Sequence, residues 1–303
     1  MEVKKYYKDI DLIRLFSCIA VLLYHLNILN GGYLAVCIFF VISGYLSCVS
    51  LFKKNKISLK GYYKNRLIKL YLPLLIVVFV SISIISLFPS INWFNLKNET
   101  TSVLLSYNNF WQLSANLDYF QRHTSSPFMH FWYISILFQF DLVLPFIYMF
   151  IRKIESKTNK YFVCALSIIV SIAATIYFYI VSLNGNVMFS YYNTFSRIFS
   201  LLFGVSLGLV HSYFGNIVPS YITKNSTKNK VITAYLFLLT YLFIFIDGSF
   251  KYSAISMIAV SLISCRLIEY ATMDDDTNLN IFRKIVKSLS SISYEIYLIQ
   301  YPV

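Results

Sequence analysis

Residues 11–28 read DLIRLFSCIAVLLYHLNI. The run is apolar enough to cross a membrane as a helix, yet it holds Arg14 and His25. An ionisable side chain inside a bilayer costs a few kcal/mol or more, and it normally faces a protein interior or a watery cavity. At 100° per residue, the eleven steps between the two residues return to within about 20° of the starting direction, with a rise of roughly 16 Å. Arg14 and His25 therefore share one helix face. Taken singly, each has an ordinary explanation: Arg14 snorkels to lipid headgroups, and His25 hydrogen-bonds a neighbouring helix. The shared face favours a joint role.

Composition places this helix in a class. Of 303 residues, 58% are hydrophobic, 18% aromatic and only 13% charged, against about a quarter charged in soluble domains. The chain is expected to be an all-α, polytopic membrane helix bundle. Its net charge of +13 points to nucleic acid only where basic groups form an exposed patch. Here they sit between apolar runs, so no nucleic-acid partner is expected. Cys18, Cys37, Cys48, Cys164 and Cys265 all lie in or beside apolar runs with no Cys-x-x-Cys spacing. That indicates neither a disulfide framework nor a metal site.

Runs long enough to cross about 30 Å of hydrocarbon fall at 10–30, 33–52, 70–88, 128–151, 161–182, 194–214, 231–247 and 252–270, with a ninth starting near 289. With the N-terminus cytoplasmic, the inward stretches hold 21 Lys and Arg, and the outward ones only Lys97, Arg122 and Lys251. Basic loops resist translocation, which supports that orientation. The first helix follows Lys4, Lys5 and Lys8 but lacks a small-x-small cleavage site, so it reads as a retained span. The longest hydrophilic stretch is the outward loop 89–127, and Asp274-Asp275-Asp276 reads as a solvated cytoplasmic turn. The ninth run stops in mid-span, where unsatisfied backbone groups would be costly. A further C-terminal segment is therefore expected.

The motifs are similar to those of the acyltransferase 3 family of integral membrane acyltransferases. Its first helix opens with Asp, then Arg, ten residues and His, as Asp11, Arg14 and His25 do here. The likeness continues through LAVCIFFVISGYL (34–46), YYKNRLIKLYLPLL (62–75), YNNFWQLSANLDYF (107–120), SPFMHFWYISILFQFDLVLP (126–145), TFSRIFSLLFGVSLG (194–208) and SISYEIYLIQYPV (291–303). It covers nearly the whole chain, in the family's order. The resemblance implies one transmembrane domain over 1–303, of about ten helices, in the plasma membrane. It also implies transfer of an acyl group, often acetyl, from cytoplasmic acyl-CoA to a hydroxyl of a cell-surface or lipid-linked glycan.

On that reading the donor is a substrate, and no bound cofactor is needed. Arg14, Arg66 and Lys69 would meet coenzyme A phosphates through charge-assisted hydrogen bonds, with Asp11 holding the Arg14 guanidinium from one turn away. His25 would either take the proton from the acceptor hydroxyl or accept the acyl group itself. By the same topology His130, Trp132 and Arg197 begin inward-running helices near the depth of His25. The resemblance of HFWYIS (130–135) favours a functional His130 and Trp132, although an interfacial aromatic belt also places Trp there. Arg197 fits acceptor or oxyanion binding, or a structural ion pair.

Several positions depart from the family. Leu137 and Phe138 stand before Gln139 and Phe140, where many members have a carboxylate pair. Asp141 either offers a carboxylate one turn deeper or simply bonds a neighbouring helix. Lys69 replaces the second Arg of an Arg-x-x-Arg pattern and gives up a planar fork, and Gln300 stands where His is common. A transporter or glycan exporter is the alternative function, since polar groups along a bundle also line permeation paths. It would favour Gly- or Pro-broken helices, and here Gly is sparse.

Overall fold

The structure is a computed structural model that describes residues 7–53, 58–87, 95–117, 126–184, 187–216, 225–247, 250–273 and 281–300. Every regular element among them is helical: α1 (Lys8–His25), α2 (Ala35–Phe52), α3 (Leu59–Arg66), α4 (Leu72–Ser86), α5 (Leu96–Leu104), α6 (Asn108–Ser114), α7 (Trp132–Glu155), α8 (Lys160–Leu183), α9 (Val187–Tyr192), α10 (Thr194–Phe214), α11 (Asn225–Phe245), α12 (Phe250–Ala271), α13 (Ile281–Ser291) and α14 (Ser293–Ile299). The turn expected at Asp274-Asp275-Asp276 and the outward Arg122 lie outside the described residues.

Among the described residues, seven helical runs are long and apolar enough to cross a membrane, not the nine expected. They are Gly32–Phe52, Leu59–Ser86, Met129–Glu155, Lys160–Leu183, Thr194–Phe214, Thr227–Phe245 and Tyr252–Ala271. The first expected span drops out because of charge, and the last because its helix is broken at Ile292 into pieces of 11 and 7 residues. Helix α1 carries Lys8, Asp9, Asp11 and Arg14 within 18 residues. The last helical run begins at Ile281 rather than near 289, and its opening turns hold Arg283, Lys284 and Lys287. The third span also begins earlier than expected, at Leu59, because the basic stretch before residue 70 is already helical.

The chain divides into two compact units, Met1–Val49 with Ser200–Ile296, and Ser50–Phe199 with Tyr297–Val303. In the first, α1 packs along α13, and α2 meets α10 through glycines. A Cβ on Gly44 would fall 2.1 Å from the Leu201 carbonyl oxygen, and one on Gly204 would fall 2.1 Å from that of Val41. Such contacts are open only to glycine, and close backbone approach supplies dispersion where lipid offers no hydrophobic drive. The Ser200 and Ser261 hydroxyls add a bond of 2.8 Å between α10 and α12.

In the second unit, α3 and α4 form one run broken by a wide π turn at Leu67–Tyr71. Pro73 follows at the start of α4 and has no N–H to return to the preceding turn. A widened turn relieves that loss. Helix α7 contains Pro145, which deprives the carbonyl four residues earlier, at Asp141, of its helical donor. The loop expected at 89–127 is partly folded, as α5 and α6 bury Glu99, Ser102, Asn108, Asn109 and Gln112.

Candidate active site

The first unit holds Asp11, Arg14 and His25 on α1. Asp9 and Asp11 occupy the first turn, where negative charge suits the free amides of a helix N-terminus. Asp9 is buried and takes Lys228 and Arg283, each at 2.8 Å. Asp11 accepts the Ser290 hydroxyl at 3.0 Å. These bonds brace α1 against α11 and α13. Asp11 lies 3.8 Å from Arg14 Nη1, beyond hydrogen-bond distance, so it attracts the guanidinium without holding it. Arg14 makes no hydrogen bond among the described residues, and its side chain is 31% exposed.

His25 is the last residue of α1, which ends five residues before the expected boundary at 30. Its ring meets Tyr24 edge-on at 5.4 Å, and Tyr24 meets Tyr33 at 5.7 Å. The chain then turns through Asn27 at φ 59°. Gly31 N–H donates to the Phe243 carbonyl at 2.8 Å, and Gly32 sits so close to α1 that a Cβ would fall 2.2 Å from the Ala20 carbonyl oxygen. The imidazole is thus fixed at a helix end by a tightly seated turn.

The second unit gathers the remaining predicted residues into separate clusters. In one, Arg66 of α3 reaches Asp141 of α7 at 3.2 Å, and the Tyr62 hydroxyl donates to the same carboxylate oxygen at 3.0 Å. The Arg66 guanidinium also lies 5.3 Å from the centre of the Tyr62 ring. Asp141 therefore bonds a neighbouring helix. Lys69 lies in the π turn and is exposed, so it does not join Arg66 in a fork.

Gln139 builds a second cluster. Its amide donates to the Ser106 carbonyl and to Asn109 Oδ1, both at 2.9 Å, and accepts from the Thr194 hydroxyl at 2.5 Å. Asn109 in turn donates to the Tyr192 carbonyl and to Thr194 Oγ1, both at 3.0 Å. This ring ties α6 and α7 to the junction of α9 and α10, just before Arg197.

Arg197 and Trp132 come together in a third cluster, both wholly buried. The guanidinium stands 5.5 Å from the Trp132 ring and 5.0 Å from that of Tyr191, within cation–π range. His130 is buried in the 3₁₀ turn Met129–Phe131 that opens α7. Its Nε2 lies 3.1 Å from the Leu298 carbonyl, and its own carbonyl accepts the Tyr297 hydroxyl at 2.7 Å.

Sequence reasoning missed Asp9, Tyr62, Glu99, Asn109, Tyr191 and Tyr297. Asn109 and Tyr62 lie inside stretches already singled out, whereas Glu99 had nothing local in the sequence to mark it. Glu99 is fully buried and accepts from the Ser126 hydroxyl, the Phe128 amide at 3.1 Å and the Gln112 amide at 3.4 Å. Burial pushes its carboxyl up to about 7. Chemically, the molecule offers an uncommitted guanidinium and an imidazole on one helix, and a buried imidazole and an aromatic-caged guanidinium at helix starts.

Comparison with known proteins gives a consistent result. The family model Acyl_transf_3, described as an acyltransferase domain, matches residues 7–303. The chain is 28% identical over 236 residues to the O-acetyltransferase OatA of Staphylococcus aureus strain NCTC 8325 / PS 47, covering 76% of this chain and 38% of that protein. OatA of strain MRSA252 matches with the same figures. The chain thus spans well under half the length of these curated relatives. No solved structure matches.

Proposed function

The chain belongs to the Acyl_transf_3 family, and on that premise we propose that it is a multi-pass membrane O-acetyltransferase. The donor is cytoplasmic acetyl-CoA, and the acceptor is a hydroxyl of a cell-surface or exported glycan. The observation that carries this reading is the disposition of α1. Arg14 has no hydrogen bond among the described residues, and His25 ends the same helix roughly 16 Å further along it, on the same face.

A guanidinium with free donors suits a phosphate, which it meets with short, charge-assisted bonds. The extended pantetheine arm of coenzyme A then leads the thioester from the phosphate end toward the imidazole. His25 takes the acceptor hydroxyl proton as the oxygen attacks the thioester carbonyl, the carbon–sulfur bond breaks, and the leaving thiolate takes the proton back from the imidazolium. If His25 instead takes the acetyl group first, the same atoms are exchanged in two steps. His130, Trp132 and Arg197 serve the acceptor or the developing oxyanion. Arg66 and Lys69 add positive charge on the donor side. The N-terminus is cytoplasmic in the plasma membrane, as the 21-to-3 distribution of Lys and Arg supports.

Mass analysis of surface glycan from cells with and without the protein tests this reading. Acetyl esters present only with the protein are expected; identical glycans from both would count against it.

A further inference from the structure

Glu99 lies on α5, between two membrane-crossing runs, and has no part in the roles assigned above. It is 0% exposed. Among the described residues, the hydrogen bonds of its carboxyl all fall on one oxygen: Oε1 accepts from the Ser126 hydroxyl, from the Phe128 amide at 3.1 Å and from Gln112 Nε2 at 3.4 Å. Oε2 is equally buried and has no hydrogen-bond partner among the described residues. Among the described residues, the groups that face the carboxyl are neutral. On α5 itself Ser102 is buried nearby and Lys97 points into solvent, while α6 presents Gln112 and the segment before α7 presents Ser126 and an amide.

A carboxylate spreads its charge over both oxygens, so burying one of them bare is costly. A neutral acid keeps a carbonyl oxygen that accepts and leaves only an unmet O–H on the other oxygen, a smaller cost than a bare anionic oxygen. The one-sided pattern fits the neutral acid.

The oxygen that collects these bonds controls a particular turn. Phe128 is the residue that caps the 3₁₀ turn Met129–Phe131, and its carbonyl accepts the Phe131 amide at 3.0 Å. His130 is the middle residue of that turn. We propose that Glu99 is a positioning residue for His130, acting through the Ser126 hydroxyl and the Phe128 amide. The turn is then gripped at two points, by Glu99 before it and by Tyr297 and Leu298 at His130 itself. This rests on the reading that His130 takes part in acetyl transfer.

The proton on Glu99 sets a pH dependence. Burial raises its carboxyl to about 7. The stability that the neutral carboxyl lends this corner is therefore complete below the ordinary carboxylate range and is lost as the pH rises through about 7, where a buried charge appears beside the bare Oε2 and works against the seating of the turn.

The test compares wild type, Glu99→Gln, Glu99→Ala and His130→Ala, purified in lipid nanodiscs. Acetyl transfer from acetyl-CoA is measured across pH, together with the infrared carbonyl band of a neutral carboxyl. Gln keeps the accepting carbonyl and cannot ionise. Wild type is expected to lose activity on the alkaline side with a midpoint near pH 7, and Glu99→Gln to stay active without that fall. Glu99→Ala should lower kcat by on the order of 10²-fold, the scale of a misplaced catalytic group, with KM for acetyl-CoA unchanged. The infrared band should fade from wild type through about pH 7 and be missing from Glu99→Gln.

The same alkaline fall in Glu99→Gln, an inactive but stably folded Glu99→Gln, or a wild-type kcat in Glu99→Ala would each overturn the proposal. If Glu99→Ala does not fold, the Gln variant decides. Wild-type activity in His130→Ala overturns the functional reading and the proposal together. An inactive His130→Ala beside a fully active Glu99→Ala sinks the proposal alone.

Discussion

Arg66 meets Asp141 at 3.2 Å, and Asp141 is the residue of α7 whose carbonyl loses its helical donor to Pro145. The ion pair thus closes over an irregular turn in each of its two helices, since Arg66 itself leads into the π turn at Leu67–Tyr71. The Tyr62 hydroxyl completes the cluster from the turn before Arg66.

Breaking this pair one partner at a time is expected to cost more than removing both. Asp141→Ala leaves a largely buried guanidinium without its counter-charge, and the loss for a hydrogen bond to a charged group is about 1.5–3 kcal/mol. The double variant Arg66→Met with Asp141→Leu should recover much of that loss. Thermal unfolding in detergent of the two single variants and the double variant checks the coupling, and additive losses would show that the pair does not act as one unit.

The α2–α10 contact makes an equally local prediction. Gly204→Ala places a methyl 2.1 Å from the Val41 carbonyl oxygen, on backbone that cannot rotate away. The two helices must separate, and the protein is expected to unfold at lower temperature and to accumulate poorly. Gly61→Ala, whose nearest contact is Ser58 Oγ at 3.4 Å, is the tolerated control.

How far such features can be read from the chain alone depends on range. Helix α10 was expected at 194–214 and is found at Thr194–Phe214, because an uninterrupted apolar run bounded by turn residues defines itself locally. The Arg14 and His25 spacing is legible for the same reason. The start of the last helical run was not legible. Arg283, Lys284 and Lys287 look like a loop until Asp9 and the rest of α1 are placed beside them. Nor was the folding of 95–117 legible, since Glu99, Asn108 and Gln112 are polar residues whose burial follows from partners up to 29 positions away. Gln139 lies in a stretch that the sequence singles out as a supporting part of the site, but its partners Asn109 and Thr194 could come only from the tertiary fold.

The donor side is tested by a substitution that keeps charge and removes shape. Arg14→Lys retains a cation but loses the planar fork. If the fork binds a coenzyme A phosphate, acetyl-CoA should bind the variant more weakly by about 1–3 kcal/mol in a titration of purified protein. A headgroup anchor would be served nearly as well by Lys, so equal affinities would remove Arg14 from the donor site.

The most direct measurement of the central claim is acetyl transfer by His25→Ala. With acetyl-CoA supplied on the cytoplasmic side and the acceptor glycan analysed by mass, the variant should accumulate in the membrane as wild type does. Its transfer should fall by about 10²-fold or more, the cost of removing a base from the reacting geometry. A well-folded His25→Ala protein that acetylates at the wild-type rate would contradict the account.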